Sequence, residues 1–105
     1  MKSEVMTFKI EQEALNMRNI KYSNQFKKDV TQSQKRGKNI SKLRAVMQLI
    51  ISGQPLPAVL KDHQLKGALR YHRELHIEPD WLLVYIVGDE SVCFERTGTH
   101  SDLFK

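Results

Sequence analysis

The sequence has 105 residues, with 17 Lys and Arg against 12 Asp and Glu and a net charge of +5. This length suits one domain with a small core, and it excludes a two-domain enzyme with a cofactor cleft between its halves. Apolar residues make up 40% and charged residues 28% of the chain, which excludes wholesale disorder. The basic excess favours a polyanionic partner, nucleic acid ahead of a membrane surface, although a merely soluble basic protein has the same composition.

The compartment is predicted from the cysteine count and the hydropathy pattern. Cys93 is the only cysteine, so no internal disulfide can form and a reducing cytosol fits best. No continuous apolar stretch approaches the roughly 20 residues of a membrane span, and the N-terminus lacks the apolar block of a signal peptide. We therefore expect a cytoplasmic protein without membrane contact.

The first sixteen residues differ from the rest of the chain in charge. They contain two lysines and three glutamates, a charge of −1, which leaves +6 on residues 17–105. Their weak apolar pattern has neither a cap nor a glycine stop. We expect residues 1–16 to be a leader outside the core, and residues 17–105 to form the single domain.

A short strand and a helix are predicted next. The strand covers Ile20–Tyr22, and the helix covers residues 24–36 with a cap at Ser23 or Asn24. Gly37 is a C-terminal stop signal.

A second helix is predicted over residues 40–52, ending at Gly53. Four apolar residues at i, i+3, i+4 and i+7 give it one apolar stripe. These residues are Leu43, Val46, Met47 and Ile50.

Positive charge is concentrated in these two helices and their flanks. The segment from Lys21 to Arg44 has eight basic residues and a single acid, Asp29. This pattern predicts a concentrated positive surface, and an ordinary solvated helix face would show it as well.

The pattern changes from helical to strand-like after Gly53. Pro55 and Pro57 predict a loop over residues 54–67, and residues 69–78 alternate between apolar and polar types, as in a strand with two different faces. Pro79 and Asp80 predict a turn.

The remaining elements complete a small sheet. Residues 81–87 are apolar on both faces and predict a central strand, and a further strand is expected over Val92–Thr97. Thr99 and Asp102 have the spacing of a capping box and predict a short final helical turn. The predicted fold is α+β, with two N-terminal helices packed on a small, mainly antiparallel sheet and a C-terminal helical turn.

The two predicted turns imply a register for each hairpin. They place His76 opposite Leu83 and Leu83 opposite Arg96, so that His76 and Arg96 share one row of the sheet. The final turn brings His100 and Phe104, four residues apart, to one side.

Histidine and arginine together can cleave RNA without a metal. Histidine can take the proton of the 2′-hydroxyl as it attacks the adjacent phosphate, and it can also protonate the leaving 5′-oxygen. Arginine offers a fork of donors to the phosphate, and Trp81 or Phe104 could stack on a base. Zinc is not favoured, because His72 and His76 lie in a predicted strand and no second cysteine exists.

Four segments resemble the YafQ-type mRNA interferase toxins of the RelE/ParE superfamily. They are YSNQFKKDV, LPAVLKDHQLKG, RELHIEPDWLLVY and FERTGTHSDLF, and the resemblance runs from about Asn19 to Phe104. It implies a RelE-like microbial RNase fold and a bacterial type II toxin that cleaves mRNA codons in the ribosomal A site without a metal or other cofactor. It also implies neutralisation by a DinJ-type antitoxin, in a complex that binds operator DNA.

The resemblance assigns functional roles to seven residues. His76 and His100 are expected to be the principal acid/base pair, and Asp80 either orients a histidine or acts as a base. Arg96 is expected to hold the phosphate, and His63 to donate to the phosphate or the leaving group. The family set also includes Trp81, which could instead anchor the sheet, and Phe104. His72 lies outside this set.

The basic helices gain a use from the same resemblance, because contacts between basic side chains and rRNA phosphates would hold the toxin on the ribosome. The candidates are Lys27, Lys28, Lys35, Arg36, Lys38, Lys42 and Arg44. Two alternatives remain: a gyrase-directed toxin of the ParE branch, and a non-catalytic module that only binds RNA or ribosomes.

Overall fold

A computed structural model describes residues 19–104, and the predicted leader over residues 1–16 lies outside the described residues. The elements are β1 (Asn19–Tyr22), α1 (Asn24–Lys35), α2 (Ile40–Ser52), β2 (His63–Gln64), β3 (Arg73–Glu78), β4 (Trp81–Val87), β5 (Ser91–Gly98) and α3 (His100–Leu103), with single helical turns at Ala58–Leu60 and Gly67–Leu69. The strands form one sheet in the order β1-β5-β4-β3-β2. β1 runs parallel to β5 and all other neighbours are antiparallel, so the predicted α+β class is confirmed.

The predicted starts of both helices and the predicted end of the second are confirmed, and each depends on local capping; the first helix ends at Lys35, one residue earlier than predicted. The Ser23 side chain accepts a hydrogen bond from the backbone N–H of Phe26 at 2.9 Å, which begins α1. Asn39 accepts from the N–H of Ser41 at 3.0 Å and begins α2. Gly53, with φ of 72°, ends α2 in the left-handed conformation that glycine adopts without strain.

The core lies between the two long helices and one face of the sheet. Each fully buried apolar side chain stabilises the fold by about 1.5–3 kcal/mol through removal of its surface from water. The helices contribute Phe26, Val30, Leu43, Met47 and Ile50, and the sheet contributes Leu75, Leu83, Tyr85, Val92 and Phe94. β4 is the central strand of the sheet, as predicted, and its residues from Trp81 to Tyr85 are all buried.

The strand predicted over residues 69–78 is shorter than expected. It begins only at Arg73, because Gly67–Leu69 forms a helical turn, and Tyr71 is 68% exposed. The loop predicted over residues 54–67 contains β2, a two-residue strand that pairs with β3. As a result, His63 lies on the edge of the sheet.

The predicted pairing of His76, Leu83 and Arg96 in one row is wrong by one residue in each hairpin. Both hairpins begin in the predicted register, with Glu78 opposite Trp81 and Val87 opposite Val92. An irregularity at Ile77 then shifts His76 opposite Leu82, and a bulge at Glu95 shifts Arg96 opposite Val84. A bulge adds one residue to one strand only, so it moves every later pair by one position.

None of the helices within residues 19–104 has the length and hydropathy needed to cross a membrane.

Candidate active site

The site is built on two neighbouring rows of side chains that cross the sheet. The first row joins His63, Glu74, Val84 and Arg96, one from each of four adjacent strands. The second row joins His76 and Leu82 with Gly98, the last residue of β5. Residues two apart on a strand share a face and lie about 7 Å apart, so the two rows are adjacent. His63, His76 and Arg96 therefore belong to one region of the sheet.

Asp80 connects the β3–β4 turn to the start of α3. Its Oδ1 accepts a hydrogen bond from the backbone N–H of His100 at 3.1 Å. In the same turn, Nδ1 of His76 lies 3.2 Å from the carbonyl oxygen of Pro79. His76 and the Asp80–His100 contact therefore lie at the same end of the sheet, where the second row lies.

The C-terminal turn has the predicted capping box. The Thr99 hydroxyl accepts from the N–H of Asp102 at 3.1 Å, and the Asp102 carboxylate accepts from the N–H of Thr99 at 2.9 Å. The rings of His100 and Phe104 are 5.4 Å apart between centroids, on one side of the turn. Both residues are exposed, so an RNA strand can reach them.

Arg96 is paired with an acid that the sequence analysis gave no role. Its Nε donates to Oδ2 of Asp29 at 2.8 Å and its Nη2 donates to Oδ1 at 3.4 Å. Asp29 is 8% exposed and also accepts from the backbone N–H of Thr97 and from Nε2 of Gln25. Pairing of β1 with β5 stops at Phe94, so Asp29 satisfies a backbone donor on the part of the edge that β1 leaves open. In the sequence, the one sign that Asp29 has a structural partner is its position as the single acid in the basic segment from Lys21 to Arg44.

His63 is held between two oxygen atoms. Its Nδ1 lies 2.8 Å from the carbonyl oxygen of Lys61, and its Nε2 lies 3.2 Å from Oε1 of Glu74. Glu74 is 5% exposed, so its carboxylate is shielded from water. Both ring nitrogens of His63 therefore face an oxygen atom, which fixes the orientation of the ring.

The loop that carries His63 is anchored to the core by Asp62. Arg73 donates to Oδ2 of Asp62 from Nη2 at 2.6 Å and from Nε at 3.0 Å. The Tyr85 hydroxyl donates to Oδ1 of Asp62, and burial, reinforced by this bond, raises the pKa of Tyr85 well above its ordinary value. This network explains why Arg73 interrupts the apolar side of the predicted strand.

The expectation that Trp81 stacks on an RNA base is not supported by its burial. Its side chain is 1% exposed and belongs to the core between the helices and the sheet. Nζ of Lys38 lies 5.6 Å from the ring centroid, over one face of the indole. Trp81 therefore anchors the sheet, which was the alternative expectation for this residue. Of the two aromatic residues expected to bind substrate, only Phe104 is exposed.

Three of the predicted ribosome contacts have acidic partners. Arg36 pairs with Asp102 at 2.6 Å, and Lys38 and Lys42 pair with Glu78 at 3.2 and 2.9 Å. Hydrogen bonds from Lys42 and then Lys38 lower the pKa of Glu78. These pairs tie the helices to the β3–β4 turn and to α3. Arg44 is partly buried, whereas the other three candidates, Lys27, Lys28 and Lys35, are exposed.

Cys93 is not placed or charged as a nucleophile. Burial, followed by its hydrogen bond to Glu95, raises the pKa of Cys93 to about 11, so near neutral pH it is a thiol and not a nucleophilic thiolate. Within residues 19–104, no three His, Cys, Asp or Glu side chains are grouped as metal ligands would be.

Two clefts adjoin the site. A polar cleft of about 280 Å³ lies between α1 and the junction of β5 with α3, and Arg36, Arg96 and Asp102 line it. A more apolar groove of about 330 Å³ is lined by His76, Val59 and Ile77 among others. The site is therefore flanked by a charged and an apolar surface.

Comparison with known proteins identifies close relatives. Residues 18–105 match the model of a family described as a bacterial toxin of type II toxin–antitoxin systems, YafQ. The mRNA interferase toxin YafQ of Escherichia coli K12 is 51% identical over 88 residues, which cover 83% of this chain and 96% of that protein.

Solved structures agree with this result. The crystal structure of YafQ from E. coli BL21(DE3) matches with a TM-score of 0.81 and 49% identity, covering 84% of this chain and 99% of that one. In the E. coli DinJ–YafQ toxin–antitoxin complex, the matching chain has a TM-score of 0.81 and 49% identity, with 86% and 100% covered.

Proposed function

The chain belongs to the YafQ family of bacterial type II toxins, and on this basis we propose that it is a ribosome-dependent endoribonuclease. Its substrate is the mRNA codon in the ribosomal A site, and its action stops translation. The curated relative is named an mRNA interferase, which supports the reaction class. The observation that carries the proposal is that Asp80 bonds the backbone N–H of His100 at the end of the sheet where His76 lies, in the row next to that of Arg96.

The reaction is attack of an RNA 2′-hydroxyl on its own 3′-phosphate. A base removes the 2′-hydroxyl proton, the new O2′–P bond forms, and the P–O5′ bond breaks as an acid protonates the 5′-oxygen. His76 and His100 act as this acid/base pair, since imidazole serves in either role near neutral pH. Asp80 holds the backbone of His100 at 3.1 Å, which favours an orienting role for its carboxylate.

Arg96 and His63 stabilise the extra negative charge on the phosphate. Two of the five guanidinium N–H groups of Arg96 bind Asp29, which leaves three for phosphate oxygens and fixes the plane of the group. His63, whose ring is held by the Lys61 carbonyl and the Glu74 carboxylate, is the further donor to the phosphate or to the leaving group. None of these steps requires a metal.

The partners follow from the same proposal. The antitoxin is a DinJ-type protein, as in the solved complex of the E. coli relative, and the toxin–antitoxin complex binds operator DNA. The toxin itself works in the cytoplasm, where its ribosomal target is found.

The test is incubation of the purified toxin with mRNA on programmed ribosomes and, separately, with the same mRNA free in solution. We expect cuts within the A-site codon on ribosomes and at least about 100-fold slower cleavage of free mRNA, because the ribosome orients the strand in the site. Ribosome binding without mRNA cleavage would show that the protein is a non-catalytic binding module. Inhibition of gyrase supercoiling without cuts would instead identify a toxin of the ParE kind.

A second prediction concerns the exposed lysines of α1, which we propose as ribosomal RNA contacts. Replacement of Lys27, Lys28 and Lys35 together by Gln should reduce the slope of log affinity against log salt by about 2–3, since each phosphate contact contributes nearly one unit. Filter binding to ribosomes at several salt concentrations measures the slope. The exposed Lys66, replaced by Gln, is the control. An unchanged slope in the triple variant would remove α1 from the ribosome interface.

A further inference from the structure

An ion pair outside the predicted catalytic set joins the end of α1 to the C-terminal turn. Arg36 follows the last residue of α1, and its Nη1 donates to Oδ2 of Asp102 at 2.6 Å. Its Nη2 donates to Oδ1 of the same carboxylate at 3.3 Å. The planar guanidinium thus binds both oxygens, which restricts the direction as well as the distance of the contact.

Asp102 is also fixed from inside its own turn. Its Oδ2 accepts from the N–H of Thr99 at 2.9 Å, while its own N–H donates to the Thr99 hydroxyl. Gly98 lies directly beneath it, because a Cβ built at Gly98 would be 2.9 Å from Oδ2 of Asp102. A displacement of Asp102 would therefore move the whole turn.

The turn that these contacts hold cannot be stable alone. α3 has four residues, and a helix of this length has too few internal hydrogen bonds to offset the entropy of ordering it. Its position depends on contacts with the rest of the fold. Two of these contacts are the Arg36–Asp102 pair on the α1 side and the bond from the N–H of His100 to Asp80 on the sheet side.

We infer that Arg36 and Asp102 are positioning residues, which fix α3 against α1 and so hold His100 in place for mRNA cleavage. This inference rests on the proposed function. It gives Arg36 a different use from the one expected from its charge, because the residue acts through α3 instead of through a direct contact with rRNA. Phe104 is positioned by the same pair, since its ring packs on that of His100.

The charge state of the pair fits this role. The hydrogen bond from Arg36 holds the pKa of Asp102 well below its usual range, and Asp102 in turn raises the pKa of Arg36. A carboxyl group with a lowered pKa in the folded state contributes stability above its unfolded pKa and loses it only as the pH falls through the folded value. The pair is therefore ionised at neutral pH.

Asp102→Ala separates the two uses of Arg36. The substitution leaves Arg36 in place and makes the protein more positive, so a direct rRNA contact predicts unchanged or tighter ribosome binding and an unchanged kcat. Positioning predicts a kcat about 10-fold lower with the same ribosome Kd, because a small misplacement of a catalytic group slows the reaction strongly. Asp89→Ala removes the same charge from the exposed β4–β5 turn and is the matched control.

A double-mutant cycle tests whether the two residues act together. Arg36→Ala should lower kcat, and Asp102→Ala should lower it at least as much because it also removes the bond to the N–H of Thr99. The double variant should be no worse than Asp102→Ala alone, since Arg36 acts only through Asp102. Arg36→Lys should restore part of the loss, since lysine keeps the charge but lacks the fork. A wild-type kcat in Asp102→Ala, or fully additive losses in the double variant, would overturn the inference.

A readout that does not depend on activity separates this inference from the proposed function. The N–H groups of Leu103 and Phe104 donate to the carbonyl oxygens of Thr99 and His100, at 3.1 and 2.8 Å. Their amide hydrogen exchange, measured by NMR, should become about 10-fold faster in Asp102→Ala and Arg36→Ala, but not in Asp89→Ala. Unchanged exchange would overturn the positioning role. Absence of cleavage by the wild-type toxin would overturn the proposed function and leave the exchange result to decide the inference.

Discussion

Replacement of His100 by alanine should lower cleavage of ribosome-bound mRNA at least about 100-fold, because general acid or base catalysis by one side chain typically contributes that much. The fold should be unaffected. His100 is exposed, and its contact with Asp80 uses the backbone N–H, which alanine keeps. We expect the free energy of unfolding to stay within about 0.5 kcal/mol of wild type, as for most exposed positions.

Single-turnover cleavage on programmed ribosomes, with urea unfolding of the same samples, measures both expectations for His100. Ser101→Ala is the matched control, because Ser101 is the exposed neighbour in the same turn. Cleavage at the wild-type rate in His100→Ala would remove His100 from the acid/base pair. A loss of cleavage that follows a loss of stability would give it a structural role instead.

Replacement of Trp81 by alanine should have the largest effect on stability, a loss of about 3–5 kcal/mol in the free energy of unfolding. The indole is 1% exposed and packs among the largest side chains of the core, so its removal leaves a cavity. Small domains have only about 5–15 kcal/mol of stability in total, and this variant should therefore be marginally folded.

Trp81→Phe keeps the protein folded and tests the role of the ring in substrate binding. The indole N–H has no hydrogen-bond partner among residues 19–104. Replacement by phenylalanine therefore reduces the side-chain volume but removes no hydrogen bond in the described structure. We expect a loss of about 1–2 kcal/mol in urea unfolding and cleavage close to the wild-type rate. A stable Trp81→Ala variant that has lost cleavage would contradict the core position and indicate contact with RNA.

Features that depend on a few consecutive residues could be predicted from the sequence. The cap at Ser23, the stop at Gly53 and the capping box of Thr99 and Asp102 are present because each is a local hydrogen-bond or backbone requirement. The apolar stripe of α2 and the central strand β4 follow in the same way from the spacing of their apolar residues.

Features that depend on distant parts of the chain could not be predicted. The bulge at Glu95 and the irregularity at Ile77 shift the register, and no turn residue signals either of them. The pairs of Asp29 with Arg96 and of Arg36 with Asp102 span 67 and 66 residues, so only the folded chain brings them together. The seven site residues were identified by family resemblance; Trp81 lies in the core, and the roles of the other six stay predictions.

In the proposed mechanism, the 2′-hydroxyl of ribosome-bound mRNA is the nucleophile. The most direct measurement compares two mRNAs on programmed ribosomes, one all-ribose and one with a single 2′-O-methyl group at the nucleotide 5′ of the cleaved bond. We predict cleavage of the first, giving a 2′,3′-cyclic phosphate and a 5′-hydroxyl end, and no cleavage of the second at that bond. Cleavage of the methylated bond, or products with 5′-phosphate ends, would contradict the mechanism assigned to His76, Arg96 and His100.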